Sequence, residues 1–373
     1  MTTKQGVLPS QEIRDLIQNG FIYVPKEYEN QTISDSQIQP ASVDLTLGNM
    51  FYHIWGRPTA EDLKSPHPPP HSYLYQVKLQ PEGNVLVNNC TYLIPTREQF
   101  QNLPDNVRGY VNNKSSSGRI NVQTKLTTQF CDDIIPQHHT GISYNRINAK
   151  LFPIKVHLGD TVNQIRFIYG NAEVDDFTIQ SNQTKNCFLY DKTGAPITLT
   201  KKHLQEGLIT HLDLETEIIG WKAKHHPSIV LDLSKRDYKE EDFWEKLKVN
   251  EHGSLLLEAG EFYILATKEC ISVPPQFALE MIPYNLTAGE FRSHYAGFFD
   301  PGFGWSKDES ILGRPATLEV IPHENMFVRD GAVICKFKVE RMRDIPDILY
   351  GDTLQSNYQH QLGPQLAKYF KRS

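Results

Sequence analysis

Apolar residues in this chain come in short runs broken by turn formers. Tyr92-Leu93-Ile94, Ile154-Lys155-Val156, Phe262-Tyr263-Ile264-Leu265 and Val333-Ile334-Cys335-Lys336-Phe337-Lys338-Val339 are rich in aromatic and β-branched residues, with Gly, Pro, Asn and Asp between them. Such runs read as strands. Many short strands with frequent turns predict a barrel or sandwich. Helical spacing is rare. Ser10 is placed to cap a short helix with an Ile13, Leu16, Ile17 stripe, stopped by Gly20. Thr200 to Glu206, stopped by Gly207, reads as its counterpart, and Glu240 to Val249 with Phe243, Trp244 and Leu247 reads as a further helix.

The pattern repeats. Ser42-Val43-Asp44-Leu45 is echoed by His211-Leu212-Asp213-Leu214, Gly83-Asn84-Val85 by Gly253-Ser254-Leu255, and Asp160 with Phe167 by Asp330 with Phe337. At 373 residues the chain holds two domains of ordinary size. The expected division is a domain at 1–172, a polar linker at 173–194 and a domain at 195–373. Pro66, Pro68, Pro69 and Pro70 mark a stiff surface loop in the first copy.

Charge and composition then narrow the chemistry. A net charge of −6 on a mixed surface argues against general nucleic-acid or membrane binding, but not against a small anion held locally. No apolar run approaches the ~18 residues of a spanning helix. Five scattered cysteines without C-x-x-C suggest free thiols in a reducing cytoplasm, with no zinc site. The pairs His138-His139 and His225-His226 are poor chelators, because strand neighbours point to opposite faces.

Lys114-Ser115-Ser116-Ser117-Gly118-Arg119 gathers hydroxyls and cations suited to phosphate oxygens, though it is no Walker loop. The second copy has Tyr284 to Gly289 there, without a cation. Asp300-Pro301-Gly302 is a turn sequence bracketed by Phe299 and Phe303, aromatics that either wall a flat base or belong to the core. Glu319 follows Ala316-Thr317-Leu318 in a strand. A carboxylate there is costly unless paired or functional, and burial suits it to proton shuttling. The first copy has Asn145 to Ala149 at that point, with no acid. The Tyr350-to-Gly363 tail is either a frayed end or a lid. Divided motifs suggest one composite site.

These motifs, in this order, resemble the dCTP deaminase family of the deoxyuridine triphosphatase superfamily, in its long two-domain form. The resemblance rests on Ser42 to Gly48, Lys114 to Arg119, Asp300 to Phe303 with Glu319, and the Tyr350, Tyr358, Gln361, Gly363 tail. It implies a mainly β chain of two tandem dUTPase-like distorted β-barrel or jelly-roll domains with a few short helices. It also implies hydrolysis of dCTP to dUTP and ammonia. Ser115, Ser116 and Arg119, with Lys114, would hold the triphosphate, Ser115 and Arg119 also assisting chemistry. Glu319 would be the catalytic acid–base, the Ala296 carbonyl would position water, and Asp300 and Phe303 would lie near the deoxyribose and base. Tyr350, Tyr358 and Gln361 would close over the phosphates. Asn357 stands where the family has lysine. Magnesium would travel with the triphosphate, dTTP would be a feedback inhibitor, and the family forms trimers. The competing readings are a bifunctional enzyme that continues to dUMP and pyrophosphate, a plain deoxyuridine triphosphatase, and a non-catalytic nucleotide-binding regulator.

Overall fold

The structure is a computed structural model and describes residues 4–28, 32–64, 67–225, 228–282, 291–293 by backbone, 297–352 and 357–371. It divides into two compact units.

One unit comprises residues 8–170, 225–238 and 369–373. Its first sheet runs Val43–Thr46, Thr161–Tyr169, Val107–Asn113, Ile134–Ile135. Its second runs Val122–Thr127, Tyr144–Ala149, Thr91–Pro95, Met50–Ile54, Tyr73–Lys78. Period-two alternation places Val43, Leu45, Val107 and Val111 in a core with Phe100 and Phe167. The other unit, residues 1–7, 171–224 and 239–368, repeats both strand orders. Leu208–His211, Val333–Arg341, Phe277–Ile282 and Phe298–Phe299 form one sheet. Phe291–Ser293, Arg314–Pro322, Tyr263–Ile271, Trp221–Ala223 and Trp244–Lys246 form the other. Its core contains Leu265, Leu279, Leu318, Phe337 and Val339. The mainly β, duplicated architecture is the expected one.

The hydrogen bonds set the register of the repeat differently from the sequence echoes. Gly48 N–H donates to the Pro95 carbonyl as Asp213 N–H donates to Ala266. Gly159 N–H donates to Leu47 as Gly331 does to Leu212. Asp213 therefore stands at the place of Gly48, and the counterpart of Asp44 is Ile209: Asp44 pairs with Gln164 as Ile209 pairs with Lys336. Likewise Ile165, not Phe167, corresponds to Phe337. Alternating strands tolerate a slip by an even number without changing their apolar face, so short echoes cannot fix register.

Three helical expectations need correction. Helix Ser10–Gln18 forms, but Pro9 is the cap residue and Ser10 is its first helical residue. Thr200 to Glu206 makes turns, with His203 and Leu204 N–H both donating to the Thr200 carbonyl. Glu240–Asp242 is one 3₁₀ turn, after which Trp244–Lys246 pairs with Trp221–Ala223. Phe and Trp favour strands, and this strand repeats Tyr73–Lys78 beside Met50–Ile54. The segment 173–194 is no free linker. Asp175 caps helix Asp176–Asn182, and Leu189–Tyr190 pairs with Cys270–Ile271. Val174, Ile179, Phe188 and Leu189 are core residues that its polar composition obscured.

The second half also lends a strap to the first unit. Leu231–Asp232 adds a parallel strand to Ile154–Val156, and Tyr238 bridges Phe370. Arg236 stacks 5.1 Å over the Tyr369 ring.

Each unit braces its opening strand with a buried glutamate. Glu98 accepts from Thr46 N–H (2.7 Å), Thr46 Oγ1 (2.6 Å) and Gln37 Nε2 (2.8 Å). Glu269 accepts from His211 N–H (2.8 Å) and meets His211 Nδ1 at 2.6 Å. Burial pushes the Glu98 carboxyl above its ordinary 4.5, while its Thr46 and Gln37 bonds pull the other way. A raised folded pKa contributes stability fully below the unfolded value and loses it as pH rises through the folded one. Glu98→Gln turns an amide N–H₂ onto the Thr46 N–H and should cost about 1–3 kcal/mol. That deficit should be smaller at pH 7 than at pH 4, because the stabilisation contributed by the raised Glu98 carboxyl falls as pH rises. Urea midpoints of both proteins at the two pH values check it.

Candidate active site

The phosphate-cradle sequence forms a single helical turn, Ser115–Gly118, directly after the Val107–Asn113 strand. Lys114 N–H donates to the Val162 carbonyl at 3.0 Å and fixes the turn's start. Ser115 is exposed, whereas Ser116 and Arg119 are buried. The Lys114 ammonium is ion-paired with Asp44, whose carboxylate is buried. Asp44 Oδ1 is buried without a hydrogen-bond partner. In the sequence Asp44 marks the repeat and falls within the Ser42 to Gly48 motif, but no role is assigned to it there. Its position across from the cradle comes from strand pairing, which no local motif encodes.

Glu319 lies on the Arg314–Pro322 strand, in register with Ile264, and is buried. Ala316, Leu318 and Val320 enter the core, so Thr317 and Glu319 share the opposite face. The Cys335 thiol is raised to about 12, by burial first and by the Glu269 and Glu319 carboxylates, against the lowering effect of its Thr210 bond. In the first half, Arg146 pairs with Leu93 as Glu319 pairs with Ile264. The acid position there carries a cation. Arg146 bonds Asp132 at 2.8 Å, and Asp132 also holds Arg57 at 3.2 Å. Burial raises the Asp132 pKa, but Arg146, Thr127 and Arg57 outweigh it and hold that carboxyl below the usual range.

The Asp300-Pro301-Gly302 turn is built from backbone contacts. Gly302 N–H donates to Val273 (2.8 Å) and Phe303 N–H to the Asp300 carbonyl (3.1 Å). Gly304 has φ +60°, and a Cβ there would meet the Ile271 carbonyl oxygen. Asp300 is buried. Phe303 is core, edge-on to Phe299 at 5.0 Å. Of the two readings for that aromatic, the structure gives packing.

The described parts of the tail, 350–352 and 357–363, are docked. Tyr350 N–H donates to Pro301 (2.8 Å) and its ring lies 5.7 Å from Phe303. Gln359, which the sequence reading passed over, is the anchor. Its Oε1 accepts from Gly304 N–H (3.1 Å) and its Nε2 donates to the Gly302 carbonyl (3.0 Å). Gln361 donates to the Pro315 carbonyl and accepts from Thr317 Oγ1 at 3.5 Å, beside Glu319 on the strand. Tyr358 is in the core, and its hydroxyl accepts from Lys368 N–H at 3.3 Å. Ala296 and the 284–289 loop lie outside the described residues. Among the described residues no three His, Cys, Asp or Glu gather to hold a metal, and no helix is long and apolar enough to cross a membrane.

A duplicated antiparallel fold with a serine–arginine turn in one half and a buried strand glutamate in the other defines a nucleotide-processing enzyme of the dUTPase-like fold. The chain belongs to the 2'-deoxycytidine 5'-triphosphate deaminase family: residues 4–171 match the family's N-terminal domain and residues 180–370 its C-terminal domain. A crystal structure of 2'-deoxycytidine 5'-triphosphate deaminase from Agrobacterium tumefaciens is similar over 94% of this chain and 99% of its own, at 32% identity and a TM-score of 0.81. The dCTP deaminase, dUMP-forming, of Persephonella marina is 30% identical over 161 residues, 43% of this chain and 82% of that protein. That of Methanosphaera stadtmanae is 24% identical over 164 residues, 43% and 78% respectively.

Proposed function

We propose that the deamination of dCTP, this chain's reaction, draws its phosphate-binding groups from Lys114, Ser115, Ser116 and Arg119 and its acid–base group from Glu319. The observation that carries the assignment is the charge reversal between the halves. The acid position holds Glu319 in one half and Arg146 in the other, while Asp44 has Ile209 as its counterpart and the Tyr284 to Gly289 sequence has no cation. Each kind of group is thus present in one half and missing from the equivalent part of the other.

Glu319 takes a proton from water, and the resulting hydroxide adds to C4 of the cytosine. The glutamic acid then returns a proton to the leaving amine, giving dUTP and ammonia. Burial of Glu319 keeps the proton transfer out of bulk water. Asp300 faces the deoxyribose, and the Ala296 carbonyl orients the water. Tyr350, held against the Asp300 turn, is the tail residue best placed to close over substrate, whereas Tyr358 and Gln361 act by holding the tail down. Magnesium enters with the triphosphate oxygens as part of the substrate. The same reading carries a trimeric homo-oligomer, dTTP as feedback inhibitor and a cytoplasmic location, where five free thiols stay reduced.

A second reading is favoured by the relatives named dCTP deaminase, dUMP-forming. A combined ammonia and pyrophosphate assay on dCTP separates the two. Ammonia alone is the expected product of simple deamination, and equal pyrophosphate means that the reaction continues to dUMP. No ammonia at all overturns both.

A further inference from the structure

The cradle lysine is not presented alone. Its ammonium is ion-paired with Asp44 on the Val43–Thr46 strand, which lies across Thr161–Tyr169 from the strand leading into Lys114, and both side chains are largely shielded from solvent. Asp44 is 6% exposed, and its Oδ1 is buried with no hydrogen-bond partner. An uncompensated buried carboxylate oxygen is expensive, so its retention calls for a use. Strand alternation puts Val43 and Leu45 in the core and turns Asp44 to the opposite face, in register with Gln164. Gln164 is in turn opposite Asn112, two residues before Lys114. The backbone is pinned on both sides: Gln37 Nε2 donates to the Asp44 carbonyl at 3.0 Å, and Lys114 N–H donates to Val162. Asp44 is therefore a fixed carboxylate aimed at a long, otherwise flexible cation.

The other half supplies the control. There the counterpart of Asp44 is Ile209, and the segment corresponding to the cradle has no cation. Carboxylate and lysine are present together in one half and absent together from the other.

We propose that Asp44 is a positioning residue, which holds the Lys114 ammonium at the mouth of the Ser115 turn so that a triphosphate meets it already oriented. The inference rests on the cradle reading above. Two effects of opposite sign distinguish positioning from mere charge. A carboxylate near a phosphate site repels the anion, so neutralising it should tighten binding if charge alone mattered. If Asp44 orients Lys114, neutralising it releases a side chain rich in rotamers, and that ordering must then be paid on binding.

Asp44→Asn is nearly isosteric and tests the point in the full-length protein. The expected result is a KM for dCTP raised about tenfold with kcat changed little, the loss of an interaction made equally in ground and transition states. Inhibition by inorganic tripolyphosphate should weaken in parallel, whereas inhibition by deoxycytidine should not move. In Lys114→Met, the further change Asp44→Asn should add almost nothing, because the two act as one unit. Circular dichroism and the thermal midpoint establish that each variant is folded. A KM that falls or stays constant in Asp44→Asn, or an additive double variant, overturns the inference. Failure of tripolyphosphate to compete in the wild type overturns the cradle reading itself, a distinguishable outcome.

Discussion

Glu319→Gln is expected to lower kcat for dCTP deamination by about 10²–10⁴-fold, the range that a positioned acid–base group contributes. Gln fills the same volume on the same strand, and the neighbouring Leu318 and Val320 keep their core contacts. Folding should therefore be nearly unaffected. Binding of dCTP, measured by equilibrium dialysis, should persist, because the phosphate-binding groups lie in the other half of the sequence. The amide cannot take a proton from water, and that step is lost in full. A Glu319→Gln protein with wild-type turnover would remove Glu319 from the mechanism. One that is inactive because it no longer binds dCTP would make it a binding residue.

Gly304→Ala should be the most damaging single-methyl change near the site. Gly304 sits at φ +60°, and its Cβ would collide with the Ile271 carbonyl, a backbone atom that cannot swing away. The same residue gives its N–H to Gln359 and accepts from Gly313 N–H at 2.9 Å. Left-handed strain and displaced backbone together should cost about 2–4 kcal/mol. The loss would spread along the contact chain from the Asp300 turn through Gln359 to Tyr350. A lowered thermal midpoint together with a reduced kcat/KM is expected. Gly363→Ala is the control: nothing lies within 4 Å of a Cβ there, and the midpoint should hold.

The duplicated β architecture was legible because strand alternation and turn residues are local signals. Register was not. Asp44 and Asp213 look equivalent in sequence, yet the ladder sets Asp44 against Ile209, since alternation repeats every second residue. The segment at 173–194 read as a linker because its buried Val174, Ile179, Phe188 and Leu189 are spread among polar residues. Lys114, Ser115, Arg119 and Glu319 stood out because cations and carboxylates are conspicuous in strands and turns. Gln359 did not, since an anchoring amide in a Gln- and Asn-rich tail resembles its neighbours. Arg146 became informative only when strand pairing placed it at the position of Glu319.

The borrowed strap has a consequence for biosynthesis. Residues 8–170 leave the ribosome before 225–238 and 369–373, yet all three segments belong to one compact unit. Until Leu231–Asp232 emerges, the Ile154–Val156 strand has one neighbour instead of two. The Tyr238–Phe370 bridge must wait until residue 370 has emerged, after the whole of segment 239–368. The half that is translated first is thus completed last, and a nascent chain halted before residue 225 carries an open sheet edge of the kind that recruits other strands.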